Sequence, residues 1–250
     1  MEKTLLLTRR SCKLLVFVAI WALLPVADFG QQVSIAERKT ESFKIIFSHK
    51  YTEACSYLFS NTWILDTIKS YGIDPAFATS IVFPELIRYS AIQNSIETGG
   101  LFTLYVQYGQ TYADFSVGHF QMKPTFAKQV EADLSLLSIP KTLKLDLTES
   151  EKARLERVKR LDSPLWQVRY LIYFVKIMDV KYASTVWVSQ AEKLQFYAAA
   201  YNCGYTLDVK KIKDRVYRKT FYTTIVKSPP CYCYAEIAKD FFNTFPEKKL

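Results

Sequence analysis

A mainly α fold is predicted by three features of the chain. Apolar residues recur at helical spacing through most of it, paired helix start and stop signals divide it, and it is long and apolar enough to bury a sizeable core. The sequence has 250 residues, 50% of them hydrophobic and 23% charged. Seven glycines and nine prolines are too few for a low-complexity or collagen-like chain, and no repeat of fixed period is present.

The first thirty residues have the layout of a secretory signal peptide. Lys3, Arg9, Arg10 and Lys13 precede an apolar run from Leu14 to Leu24, and Pro25-Val26-Ala27-Asp28-Phe29-Gly30 follows it. The run is too short for a bilayer core of about 30 Å, which needs about 20 apolar residues. An exported protein with no integral membrane segment after cleavage is therefore expected, in a periplasm or at a cell surface.

From Phe43 to about Ser70 the apolar residues keep a helical period, and Gly72 ends that segment. Asp74-Pro75 supplies an N-cap and a proline at the first helical position, and Phe77, Ile81 and Glu85 then fall on one stripe. Pro84 inside this run should kink or end the helix. Residues 101 to 116 are rich in aromatic and β-branched types around Gly109 and read as a short hairpin or lid. Thr148-x-x-Glu151 reads as a capping box opening a charged helix to about Arg160. Ser163-Pro164 starts a long amphipathic helix, Ser189-x-x-Glu192 opens another that stops before Gly204, and a last helix covers about Tyr234 to Phe242.

Charge and side-chain chemistry narrow the function. The net charge is +9, and removal of residues 1–30, with four basic and two acidic side chains, keeps the chain basic. That balance suits an anionic partner. An exported chain with no nucleic-acid recognition motif points to a cell-wall polymer and away from nucleic acid. Seventeen tyrosines and 17 phenylalanines suit a ring-lined groove for an extended ligand. His49 and His119 are the only histidines, so a His-based metal site or triad is hard to assemble. His49 gives no signal; beside the Gly118 turn, His119 is placed to touch a ligand or to fill a hydrogen-bonding gap. Cys55, Cys203, Cys231 and Cys233 remain after the signal, and disulfide use is expected over metal ligation, with free thiols as the alternative.

Glu85 is the main candidate for chemistry. A carboxylate continuing an apolar stripe is costly unless paired or neutral, and a neutral one can serve as a general acid. The competing reading is an ion pair with Arg88 one turn on. Two further segments bear on the choice. In Gly118-His119-Phe120-Gln121-Met122-Lys123-Pro124-Thr125-Phe126-Ala127, Gly118 permits a positive φ or a close backbone approach, and Gln121 can donate and accept. In Ala199-Ala200-Tyr201-Asn202-Cys203-Gly204, Tyr201 and Asn202 stand where a helix ends and could line a saccharide groove.

The first of these segments resembles the Gly-Leu-Met-Gln-x-x-Pro-x-Thr-Ala segment of the soluble lytic transglycosylase family, and the second resembles its Ala-Ala-Tyr-Asn-Ala-Gly. Ile68 to Tyr89, ending around Glu85, is similar to the segment that carries the family's catalytic Glu-Ser. The likeness spans about residues 60–205. It implies a lysozyme-like fold over 59–250, with 31–58 as an N-terminal helical extension. It further implies cleavage of the β-1,4 bond between N-acetylmuramic acid and N-acetylglucosamine in peptidoglycan, with no metal or organic cofactor. Glu85 would act as acid and then base, giving 1,6-anhydro-muropeptides, while Gly118, Phe120, Gln121, Met122, Tyr201 and Asn202 would contact substrate.

The chain departs from the family at several positions. Leu86 stands where the family has Ser, Arg88 where an aromatic is usual, and His119-Phe120 where it has Leu-Met. The spacing from Glu85 to Gly118 is long, as if the segment around 95–115 were inserted. Asp114 or Glu97 within it, acting as a second carboxylate, would instead signal a lysozyme-type hydrolase. A non-catalytic wall-binding protein of the same fold is the third reading.

Overall fold

The computed structural model describes residues 42–92, 98–113, 115–137, 145–224 and 227–246. The signal segment, Glu97 and Asp114 lie outside the described residues.

The helical stretch expected from Phe43 to Ser70 forms three pieces, α1 (Phe43–Phe47), α2 (His49–Ser60) and α3 (Thr62–Ser70). Ser48, at φ 44°, breaks the first junction and Asn61 the second. Gly72 takes φ 74° and ends the segment. The expected boundary at residue 58 falls inside α2. Phe47, Tyr51, Ala54 and Leu58 belong to the same hydrophobic core as the later helices.

At the centre is α4 (Pro75–Ile92), with Asp74 Oδ1 accepting from the Ala76 N–H at 2.9 Å. Residues 77 to 87 are all buried, the signature of a helix packed on every side. Pro84 neither ends nor breaks it. A proline inside a helix costs roughly 3 kcal/mol, and contact with α2, α3 and three later helices offsets that. The Thr79 and Ser80 hydroxyls donate back to the Pro75 and Ala76 carbonyls, at 2.7 and 2.6 Å, so neither brings an unpaired polar group into the core.

Residues 101 to 116 are not a hairpin. The aromatic and β-branched run is α5 (Thr98–Tyr108), stopped by Gly109 at φ 84°. Tertiary contacts override its strand-like composition. Tyr105 is buried, and the Arg154 guanidinium donates to the Val106 and Gln107 carbonyls at 2.8 and 2.9 Å and also to the Glu149 carbonyl.

After α6 (Pro124–Asp133) and a 3-10 turn over Leu134–Leu136 comes α7 (Glu151–Asp162). Its N-cap is Ser150, whose hydroxyl accepts from the Ala153 N–H at 3.2 Å. The start therefore lies two residues past the expected Thr148. Thr148 bonds Ser150 instead. Next come α8 (Pro164–Lys181) and α9 (Gln190–Cys203). The Ser189 hydroxyl caps α9 by accepting from the Glu192 N–H, and the Glu192 carboxylate reaches back to the Val188 N–H at 2.6 Å, a box closed one residue early. A short α10 (Val209–Arg215) leads into strand β1 (Lys219–Phe221), which pairs antiparallel with β2 (Tyr232–Cys233). The chain then turns directly into α11 (Tyr234–Thr244), whose Phe241 stacks on Phe83 of α4 with ring centres 3.6 Å apart. The described structure is thus mainly α, with one small sheet. Among the described residues no helix is long and apolar enough to cross a membrane.

Candidate active site

Glu85 lies on the inner part of α4 with only 5% of its surface exposed. Its Oε2 has no hydrogen-bond partner. The nearest cation, Arg88 Nη1, is 3.8 Å away, close enough for attraction and too far for a hydrogen bond. Burial pushes the Glu85 carboxyl up to about 7; the Arg88 charge, the polar side chain of Asn202 and the Lys123 charge pull the other way and fall short. Two buried tyrosines stand close by, yet their hydroxyls are committed elsewhere. Tyr201 donates to the Phe120 carbonyl at 2.7 Å and Tyr234 to the Ile81 carbonyl at 3.0 Å. The carboxyl is thereby left short of the donors that would stabilise its charge.

The second segment is a tight turn. Val117 and Met122 exchange two backbone hydrogen bonds, at 2.9 and 3.1 Å, around Gly118 at φ 69° and Gln121 at φ 49°. The close approach that Gly118 permits is to the protein interior. A Cβ there would sit 1.6 Å from Gln167 Nε2, because the Gln167 side chain runs under the turn. Gln167 accepts from the Phe120 N–H at 3.0 Å and donates to the Leu161 carbonyl at 2.8 Å. The Phe120 ring is buried, and its carbonyl holds Tyr201. Neither Gly118 nor Phe120 lines the cleft beside Glu85; both shape its wall from behind. His119 is packed between rings, with its centroid 3.9 Å from Tyr57 and 4.2 Å from Tyr89. Burial lowers its pKa.

The third segment ends α9, where Gly204 at φ 102° forms the stop. Glu85, Gln121, Met122, Tyr201 and Asn202, drawn from all three segments, line one cleft of about 350 Å³. Other lining residues are not legible from the sequence pattern as parts of a site. Lys123 and Gln129 line it from the end of the turn and from α6, Arg88 lines it from α4, and Arg88 is itself packed against Phe221 and Tyr222 of β1 and the residue after it. Of these, only Arg88 carries a signal, its spacing from Glu85, and that points to an ion pair. The rings lie more than 130 positions away, where no local pattern links them to it.

The four cysteines stand as free thiols, against the expectation of disulfides. Each is placed in separate surroundings: Cys55 is half-buried on α2 and Cys203 half-buried at the end of α9, Cys231 is exposed, and the Cys233 thiol donates to the Val216 carbonyl at 2.9 Å.

A buried acid with an unpaired oxygen, beside a cleft edged by an aromatic ring, side-chain amides and two cations, has the chemistry of a general acid–base group. Compared with protein-family models, curated proteins and solved structures, the chain matches none.

Proposed function

We propose that this protein is a peptidoglycan lytic transglycosylase of lysozyme-like fold, acting outside the cell membrane. The observation that carries the reading is Glu85, a carboxyl that holds its proton near neutrality, has one oxygen unpaired and stands on the cleft where the three motif segments meet. In the proposed reaction Glu85 donates its proton to the glycosidic oxygen as the bond from C1 of N-acetylmuramic acid breaks, and the bonding electrons leave with the N-acetylglucosamine oxygen. The Glu85 carboxylate then takes the proton of the muramoyl 6-hydroxyl while that oxygen closes on C1. The proton returns to Glu85, no water is consumed, and the product carries a 1,6-anhydro end. Among the described residues lining the cleft, Glu85 is the one carboxylic acid, which suits a single group serving first as acid and then as base. Asn202 is placed to orient it, and the Tyr201 ring and Gln121 amide supply an apolar face and a polar group for a sugar.

The test is a digest of purified peptidoglycan by the wild-type protein and by Glu85→Gln, read by mass spectrometry. Anhydro-ended muropeptides are expected from the wild type alone. Reducing-end products would replace this reading with a hydrolase, and binding without any release by a folded protein would replace it with a non-catalytic wall binder.

A further inference from the structure

The Arg88 head group is held by rings and not by hydrogen bonds. Its central carbon lies 5.1 Å from the centre of the Tyr222 ring and 5.8 Å from that of Phe221. Packing of this kind engages the flat face of a guanidinium and leaves its in-plane N–H groups available. Arg88 Nε is buried with no hydrogen-bond partner, and Nη1 stops at 3.8 Å from Glu85 Oε2. The side chain remains about a quarter exposed, at 24%, and lines the cleft together with Lys123. Lys123 is near enough for its charge to act on Glu85. Among the described lining residues Glu85 is the one carboxylic acid, and it stands too far from Arg88 Nη1 for a hydrogen bond. The buried Nε is beyond a ligand's reach, so the cleft is offered the part-exposed end of the guanidinium, a donor edge that matches a carboxylate.

We propose that Arg88, strapped by Phe221 and Tyr222, is a specificity-determining residue that receives a carboxylate carried by the substrate beside the bond at Glu85. This inference rests on the reading of the substrate as a muramoyl glycan. In a peptide-free strand that carboxylate is the lactyl group of the muramoyl residue, which an attached peptide converts to an amide; carboxylates of the peptide are the other source of the same chemistry.

Binding separates the sources without relying on turnover. Folded Glu85→Gln protein is titrated calorimetrically with peptide-free murein oligosaccharides, with the same oligosaccharides after conversion of their lactyl carboxylates to methylamides, and with peptide-bearing oligosaccharides. A carboxylate-bearing probe should bind about tenfold more tightly than the methylamide, the equivalent of one good charged contact. Adding Arg88→Gln should bring the affinities together, and Arg88→Lys should restore part of the difference. Should Arg88→Gln fail to fold, Tyr222→Leu, which loosens the strap, should narrow the preference in the same direction. Arg88-dependent preference for the peptide-free acid assigns the carboxylate to the lactyl group, and for the peptide-bearing probe to the peptide. Equal affinity for all three probes, binding of none, or a preference that survives Arg88→Gln overturns the proposal. Wild-type protein assayed in parallel keeps the two readings apart: Arg88-dependent binding with no bond cleavage would sink the lytic activity and leave the anion recognition standing.

Discussion

A carboxyl whose pKa is about 7 in the folded chain and 4.5 in its ordinary state keeps a proton that the unfolded chain has already released. Between those values stability must therefore fall as pH rises, and above them the full cost of a buried charge remains, about 3 kcal/mol for a shift of this size. Glu85→Gln removes that charge. The variant should be more stable than wild type by roughly 2–3 kcal/mol at pH 8, with the difference fading towards pH 4, as followed by urea unfolding at each pH. The same group should set the alkaline limb of activity near pH 7, since the acid must be protonated to act. Arg88 pulls the Glu85 pKa down, so Arg88→Gln should move that limb to higher pH; a shift to lower pH would contradict an attractive Arg88 charge beside Glu85. Gly118 tests the wall of the cleft. Its positive φ and the 1.6 Å approach of Gln167 to any added Cβ leave no room for alanine, and Gly118→Ala should cost more than about 2 kcal/mol in chemical denaturation.

The element that most resists its own composition is α5. What secures it is a polar staple from α7, read one turn apart: Arg154 holds the last carbonyls of α5, and Arg157 donates to the Tyr105 hydroxyl at 3.0 Å. Arg157 is fully buried and is matched by the buried Glu131 of α6 at 3.0 Å; Arg160 meets the other Glu131 oxygen at 2.9 Å, and Tyr170 of α8 donates to it at 2.5 Å. The two arginines should fail differently when cut. Arg154→Met should speed amide exchange across residues 98–108 while leaving α4 and α8 protected. Arg157→Met removes the donor to Glu131 Oε2 and to the Tyr105 hydroxyl while Arg160 and Tyr170 stay on the other Glu131 oxygen, and it should cost the whole fold about 2–3 kcal/mol. Uniform exchange over the whole chain in Arg154→Met would show that α5 is held by other means.

For the whole molecule, the weight of the early helices is the open test of organisation. Phe43 and Phe47 of α1 and Tyr51, Ala54 and Leu58 of α2 pack on the same core as α4 and α11, with Tyr51 edge-on to Phe83 at 4.9 Å. A chain beginning at residue 59 should lose cooperative thermal unfolding, whereas one beginning at residue 41, where the compact body starts, should keep it. Retained cooperativity in the shorter chain would favour the reading of residues up to 58 as a dispensable extension.

The amino-acid sequence determined by itself the helical class, most helix ends and the three segments that carry Glu85, Gln121, Tyr201 and Asn202. Caps, stops and apolar period act over a few residues, and so they can be read locally. Asp74-Pro75, Ser163-Pro164, Ser189, Gly72 and Gly204 all stand where that local chemistry puts them. Tertiary structure alone decided the rest. It carried α4 through Pro84 by burying it on every side, and it made α5 a helix by answering its carbonyls with Arg154. It also turned Gly118 and Phe120 to the back of the wall and set Arg88 against Phe221 and Tyr222. Each of these outcomes is fixed by partners tens of residues away, whose burial and charge have no trace in the spacing of neighbours along the chain.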